Sequence, residues 1–391
     1  MTFRLRDSRS PVIFLGLLAA LALVGGCSKK DKIDPPAELS KLKDTIKVER
    51  VWSANVGGKA PKLRLGLGVA VEGDRAFAAG HDGSVSAYAL ATGKQLWHTK
   101  TRAKLAGGPG AGQGIVVVGA TYGEVIALDS ASGAVKWRTR VNSEVLSAPA
   151  IATDRVLVRS GDGRLHGFNL ADGKELWSAE QPVPRLSLRG TAIPVAAGEL
   201  AISGFDNGRV MAVTLRDGTT AWEATIAPPT GRTELERLVD IDSAVRVVGD
   251  DVYVVTYQGR MARLARDTGQ LWWSRDISSH RGLTVDDDGV YVSTSDGQIV
   301  KSSRSTGVEI WRQDVLKNRR LSAPAVLNGQ VVVADFQGYV HFLDATTGAL
   351  TARASTGSKS VSNPPAVAQD KVLFMNDVGH LTAFRIAAPR K

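Results

Sequence analysis

The sequence predicts an all-β protein, an eight-bladed β-propeller of four-stranded blades. Three observations lead there. A short phrase recurs along most of the 391 residues, clearest at Asp162 to Trp177 (DGRLHGFNLADGKELW). Its period is near 40 residues, the mark of a repeat architecture. Each copy carries alternating apolar residues in short runs bounded by Asp and Gly, and no stretch sustains a helical period.

The phrase contains a turn glycine, a second glycine ten residues on, and a tryptophan four further. Gly83, Gly93 and Trp97 form the first copy. Gly123, Gly133 and Trp137, then Gly163, Gly173 and Trp177, then Gly208, Gly218 and Trp222 follow. Gly259, Gly269 and Trp273, then Gly297, Gly307 and Trp311, continue the series. Gly338 and Gly348 keep the glycines, but Ala352 stands where tryptophan is expected, and Gly379 opens an eighth copy. In the third copy the four strands are expected near Ala148 to Ala152, Arg155 to Ser160, Arg164 to Asn169 and Glu175 to Ala179. The intervening turns are marked by Asp and Gly, which tolerate tight or left-handed conformations.

The two ends of the array complement one another. Val48 to Val56 reads as the last strand of a repeat, with Trp52 in the tryptophan position and no earlier strands before it. Pro365 to Ile386 reads as three strands with no fourth. An N-terminal strand that completes the C-terminal blade closes the ring and protects its strand edges. The structural tryptophans are thus Trp52, Trp97, Trp137, Trp177, Trp222, Trp273 and Trp311. Each is expected to fill the gap between wedge-shaped neighbours and to reach a backbone carbonyl with its N–H.

Ahead of the propeller, which spans 48–391, lie two further segments. Residues 1–26 have the form of a secretory signal: Arg4, Arg6 and Arg9, then an apolar run from Val12 to Val24 that is too short for an ordinary membrane span. Leu23-Val24-Gly25-Gly26-Cys27 resembles a bacterial lipobox, in which the cysteine becomes the lipid-carrying N-terminus. Cys27 is the sole cysteine, so no intrachain disulfide can form. Ser28 lacks the aspartate that often retains such proteins at the inner membrane, which by resemblance favours the outer membrane. Residues 27–47 are charged, contain Pro35-Pro36 and read as a solvated tether, whose composition allows a short helix at Ala37 to Lys43.

The formal charge is +10. Without the leader, with its three arginines and one aspartate, about +8 remains, spread along the repeats rather than gathered in a block. That distribution speaks for solubility and against nucleic-acid binding. The six histidines fall in different repeats without metal-ligand spacing. Gly107 to Gly114 (GGPGAGQG) lacks the spacing of a phosphate cradle and reads as a strand-joining loop. Asp286-Asp287-Asp288-Gly289 opens like a calcium loop but has no acid at the twelfth position, so a hairpin turn is the better reading. No metal site, cofactor or catalytic residue is expected.

The repeat is interrupted in two places. Spacings between turn glycines are 40, 40, 45, 51, 38, 41 and 41 residues, and the two long ones are consecutive. They contain Gln181 to Ile193 (QPVPRLSLRGTAI) and Ala227 to Ala244 (APPTGRTELERLVDIDSA). Insertions in repeat proteins map to loops, often on a binding face. Leucines mixed with charge there suit either loops tucked onto the domain or a patch for a partner.

The phrase Leu128 to Gly133 with Trp137 resembles the PQQ-like propeller repeat. That superfamily includes quinoprotein dehydrogenases, so a PQQ-dependent enzyme is one alternative, and a cell-wall or polysaccharide-binding propeller is another. The dehydrogenases set an adjacent cysteine pair against their cofactor, and a chain with one cysteine cannot form it. Over the whole mature chain the sequence more closely resembles the BamB family, lipoproteins of the outer-membrane β-barrel assembly (BAM) machinery. The most specific matches are Leu186-Ser187-Leu188-Arg189-Gly190 and Glu234 to Asp242. The resemblance implies that Leu186, Leu188, Arg189, Asp240 and Asp242 bind the periplasmic POTRA domains of BamA. It also implies a non-catalytic scaffold that contacts other BAM subunits. Unfolded outer-membrane clients are further expected partners, and the chain would sit lipid-anchored at the periplasmic face of the outer membrane.

Overall fold

The computed structural model describes residues 2, 34–58, 65–188, 192–357 and 359–387, and the propeller unit runs from Pro36 to Lys391. Among the described residues every regular element is a strand. They form eight sheets, seven of four strands and one of five. In the third blade the strands are Ala150–Ile151, Arg155–Arg159, Arg164–Asn169 and Glu175–Glu180, close to the expected boundaries. The eighth sheet is closed as the sequence predicts. Val48–Asn55 pairs antiparallel with His380–Ile386, from Val48 opposite Ile386 to Asn55 opposite His380.

The core is divided among the eight interfaces between blades. Ile115, Val117 and Trp137 of the second blade, for example, pack with Val156, Val158 and Phe168 of the third. One tryptophan spans each interface but one, and its indole N–H donates to a backbone carbonyl of the next blade. Trp52 reaches Leu90 O at 2.9 Å, Trp97 Ser130 O at 3.0 Å, Trp137 Leu170 O at 2.9 Å and Trp177 Leu215 O at 2.9 Å. Trp222 reaches Arg266 O at 2.7 Å, Trp273 Arg304 O at 3.0 Å and Trp311 Ala345 O at 3.2 Å. A buried indole thereby keeps both its apolar area and its donor satisfied.

The second glycine of the phrase faces this tryptophan. A Cβ built on Gly173 would lie 2.4 Å from the Trp137 ring, and one on Gly93 2.5 Å from Trp52. The glycine of one blade is therefore required by the tryptophan of the blade before it. A bulge precedes the tryptophan position in every sheet, as where Phe168 pairs with Glu175 and Gly167 with Trp177. It turns the intervening residue outward, which exposes Leu96, Leu176, Trp272 and Ile310.

Ala352 now has a physical reason. Its blade adjoins the eighth, whose fourth strand comes from the N-terminus, so no hairpin turn joins the third and fourth strands there. The glycine and carbonyl that would receive an indole are missing. Across the strand pair, Ala352 opposes Phe342, whereas Trp137 opposes Ala127 and Trp177 opposes Gly167. Size has moved to the other strand, and Phe384, Ile46 and Val48 complete that cluster.

Two expectations need correction. No helix forms at Ala37 to Lys43, and the segment, though exposed along most of its length, is docked on the ring rather than free. Ala37 N donates to Lys317 O at 3.0 Å, Arg319 to Ala37 O at 2.8 Å, Arg353 to Ser40 O at 3.0 Å and Thr45 N to Thr351 O at 2.8 Å. Contacts to the ring take the backbone groups that one isolated helical turn would satisfy poorly. Leu39 joins the cluster between the sixth and seventh blades. Secondly, the glycine-rich stretch lies mostly within a strand, Leu105–Gly112. A Cβ on Gly107 would meet Ser147 O at 2.3 Å and one on Gly110 would meet Pro149 O at 1.9 Å. Glycine lets two backbones approach near the ring axis. The Asp286 turn is as expected, with its carboxylate accepting from the N–H groups of Asp288 and Gly289, both at 2.9 Å.

Replacing Trp177 by alanine should cost about 3–5 kcal/mol in chemical denaturation, the range for deleting a large buried aromatic. Gly173 and Gly198 both have positive φ, but nothing lies within 4 Å of a Cβ at Gly198. Gly198→Ala should therefore show only the backbone cost, about 1–2 kcal/mol, and Gly173→Ala distinctly more. Equal losses would remove the inter-blade contact from the account.

Candidate partner-binding surface

Both insertions emerge beside the fourth blade. The first leaves the outer strand Glu175–Glu180 through Gln181, which is buried. Its side-chain amide donates to Glu223 at 2.7 Å and accepts from Asn207 at 3.1 Å. Beyond this anchor the chain turns outward. Leu186 and Leu188 are each 41% exposed. Arg189 and Cys27 lie outside the described residues.

The second insertion follows Thr220–Thr225. Thr233 and Glu236 form a reciprocal cap. Glu236 accepts from the N–H groups of Arg232 and Thr233 at 2.7 and 3.1 Å, and its own N–H donates to the Thr233 hydroxyl at 3.2 Å. This pattern starts a helical turn, and here it makes a single turn that presents Leu235 at 62% exposure with Glu234 and Arg237. The chain then dives. Leu238, Val239 and Ile241 are buried. Ile241 presses on Gly204, where a Cβ would lie 2.2 Å from its side chain, and its N–H donates to Phe205 O at 3.2 Å.

Asp240 is fully buried, at 0% exposure. Its carboxylate accepts a short hydrogen bond from the Leu188 N–H, so the second insertion holds the first. The structure brings Leu186, Leu188 and Asp240 together, with Leu186 and Leu188 facing solvent and Asp240 beneath them. Asp242 is half-buried further toward the ring axis.

Two residues missed in the sequence complete the support. Asp206 is buried and its carboxylate lies 3.5 Å from Arg159, itself buried and stacked on the Phe205 ring at 4.3 Å. The Ser187 hydroxyl, from the first insertion, also bonds to Asp206. Burial pushes the Asp240 carboxyl up to about 6; the Leu188 N–H opposes this and the Asp206 charge adds to it. Burial raises Asp206 as well, against the pull of Arg159 and Ser187. Burial draws the Arg159 guanidinium down, opposed by Asp206, Asp162 and Asp242. A signal for Arg159 was present in the sequence. Four residues before the turn glycine, the other blades carry Ala79, Gly119, Gly204, Val255, Ser293, Ala334 and Met375, and only the third carries a charge.

Comparison with known proteins decides the family. The family model described as outer membrane protein assembly factor BamB matches residues 81–313 and 295–388. The chain belongs to the BamB family. A Pseudomonas aeruginosa protein named outer membrane protein assembly factor BamB is 42% identical over 370 residues, 95% of this chain and 97% of that one. A Bordetella pertussis protein of the same name is 37% identical, with 97% of each chain covered. The crystal structure of BamB from Moraxella catarrhalis matches with a TM-score of 0.80 at 28% identity, over 87% of this chain and all of that one. A europium-containing methanol dehydrogenase shares the fold, with a TM-score of 0.69 at 13% identity over 89% of this chain and 95% of that one. That likeness is one of fold alone.

Asp240 sets a pH dependence. Its folded value of about 6 lies above the ordinary 3.8, so the folded state holds the proton more tightly. Its contribution is most favourable below pH 4 and is lost as pH rises to about 6, by on the order of 3 kcal/mol. Asp206, also raised, acts in the same direction. Asparagine can still accept from Leu188. Asp240→Asn should therefore melt at or above the wild-type temperature at pH 7, with the gap closing below pH 4. A variant that melts lower at pH 7 would contradict the arrangement.

Proposed function

We propose that this chain is a non-catalytic scaffold of outer-membrane protein assembly that binds the POTRA domains of BamA through its two insertions. The observation that carries the reading is local. The two insertions that flank the fourth blade fold against one another and leave Leu186, Leu188 and Leu235 outward. Exposed apolar anchors on a preorganised loop pair suit a protein interface, where a few side chains supply most of the binding energy. Assembly-factor names on relatives that cover nearly the whole chain support the same role.

Residue roles divide accordingly. Leu186 and Leu188 are the apolar anchors, and Arg189 and Asp242 are the polar partners that fix orientation. Asp240 acts indirectly, as a positioning residue that holds the Leu188 backbone in place. Lipid on Cys27 would keep the propeller at the periplasmic face of the outer membrane, since two or more acyl chains give stable anchoring. The scaffold would thus help deliver or align unfolded barrel precursors beside BamA.

Changing Leu186, Leu188 and Arg189 together to alanine should cut co-purification of BamA at least tenfold while leaving the far-ultraviolet circular dichroism unchanged. Full retention by the folded variant would refute the interface. Labelled palmitate fed to cells should be incorporated into the wild-type protein and not into Cys27→Ala; equal labelling of the variant would refute lipidation at that residue.

A further inference from the structure

The innermost strands and loops of all eight blades enclose an axial cavity of about 340 Å3. That is within the range of small-molecule sites, roughly 300–1,000 Å3. Its titratable lining consists of Asp242, Arg246, His280 and Arg281 among the described residues. Arg281 donates to Ser362 O at 3.0 Å and thereby ties the sixth blade to the eighth.

Arg246 is half-buried against the cavity and differs from the fully buried cations of the ring. Arg159 faces Asp206, Arg319 is held by Asp335 at 2.7 Å, and Lys301 donates to Ala345 O at 2.9 Å. Arg246 makes one hydrogen bond, from Nε to Leu283 O at 3.2 Å. Among the described residues no carboxylate pairs with it. Burial alone draws its pKa down, and no acid opposes that effect. Asp242, the one acid in the lining among the described residues, adds its charge to the field at Arg159. A partly desolvated guanidinium without a counter-charge is less well solvated than one in water, and its fork of donors is shaped for a carboxylate or phosphate. The cavity therefore holds both the space and the unmet charge for an anion.

We propose that the axial cavity binds a small organic anion, a carboxylate or a phosphate ester, with its charged group against the Arg246 guanidinium and with His280 and Arg281 beside it. Arg246 lies four residues beyond Asp242, so the site borders the second insertion. An occupant would tie the fifth, sixth and eighth blades together from within. The inference is independent of the BamA interface.

The test is thermal unfolding of the full propeller at fixed ionic strength, titrated with citrate, glycerol phosphate and the neutral succinamide. One or both anions should raise the melting temperature saturably at millimolar or lower concentration, and the diamide should not; the better anion identifies the class. Arg246→Met should lose at least tenfold in apparent affinity for that anion. No saturable rise with either anion, an equal rise with the diamide, or unchanged affinity in Arg246→Met would overturn the proposal. Bromide soaked into wild-type crystals gives a readout that does not depend on the variant folding. An anomalous peak within hydrogen-bonding distance of Arg246 supports the site, and its absence contradicts it.

Discussion

One contact repeated around the ring supports everything else. The outer strand of a blade places an indole on a glycine of the next blade and donates its N–H to a carbonyl there. The glycine does two jobs, since it turns the chain with positive φ and leaves room for the ring. Each blade is thus defined partly by its neighbour, and much of the stability resides in the contacts between neighbours. Closure by Val48–Asn55 follows the same rule, because Trp52 reaches Leu90 and Gly93 as the other six inter-blade tryptophans reach their own neighbours. Where no hairpin turn exists to receive an indole, at Ala352, none is found.

A ring held this way tolerates long loops, and two consecutive blades use that freedom. Their insertions are shaped from within by a cost. Asp240, Asp206 and Arg159 are charged or polar groups with little or no access to water. A buried acid whose pKa is raised to about 6 is a burden on stability at neutral pH, and apolar packing could replace it. What it supplies is a fixed hydrogen bond to the Leu188 backbone, which holds an exposed leucine in one place. A loop ordered before binding loses less entropy on docking. Stability and preorganisation therefore pull in opposite directions at this residue.

Much of the fold was legible because its rules are local and repeated. The 40-residue period, the alternation and the mismatched ends suffice for eight blades and for closure. The partner of each tryptophan was not legible, since the glycine it contacts lies more than thirty residues further along, beyond the reach of any strand pattern. The insertions could be located as breaks in the period, but the spacing carries no information about burial. Asp240 was therefore read as a partner-binding side chain, whereas it is buried beneath Leu188. Docking of the tether was not legible for a related reason: its charged side chains are mostly exposed, as composition suggested, but its carbonyls accept from Arg319 and Arg353, 282 and 313 positions away. Arg159 was discoverable in principle, as the only charge at an otherwise small or apolar strand position.

The central claim is that the ring is scaffolding and the paired insertions are its working surface. Amide hydrogen exchange across the propeller, measured with and without the periplasmic domains of BamA, addresses it directly. The account predicts slowed exchange at residues 183–188 and 233–242, with the tryptophan-bearing outer strands unchanged. Protection concentrated on those outer strands, such as Leu271–Asp276 and Glu309–Gln313, with the insertions unaltered, would contradict it.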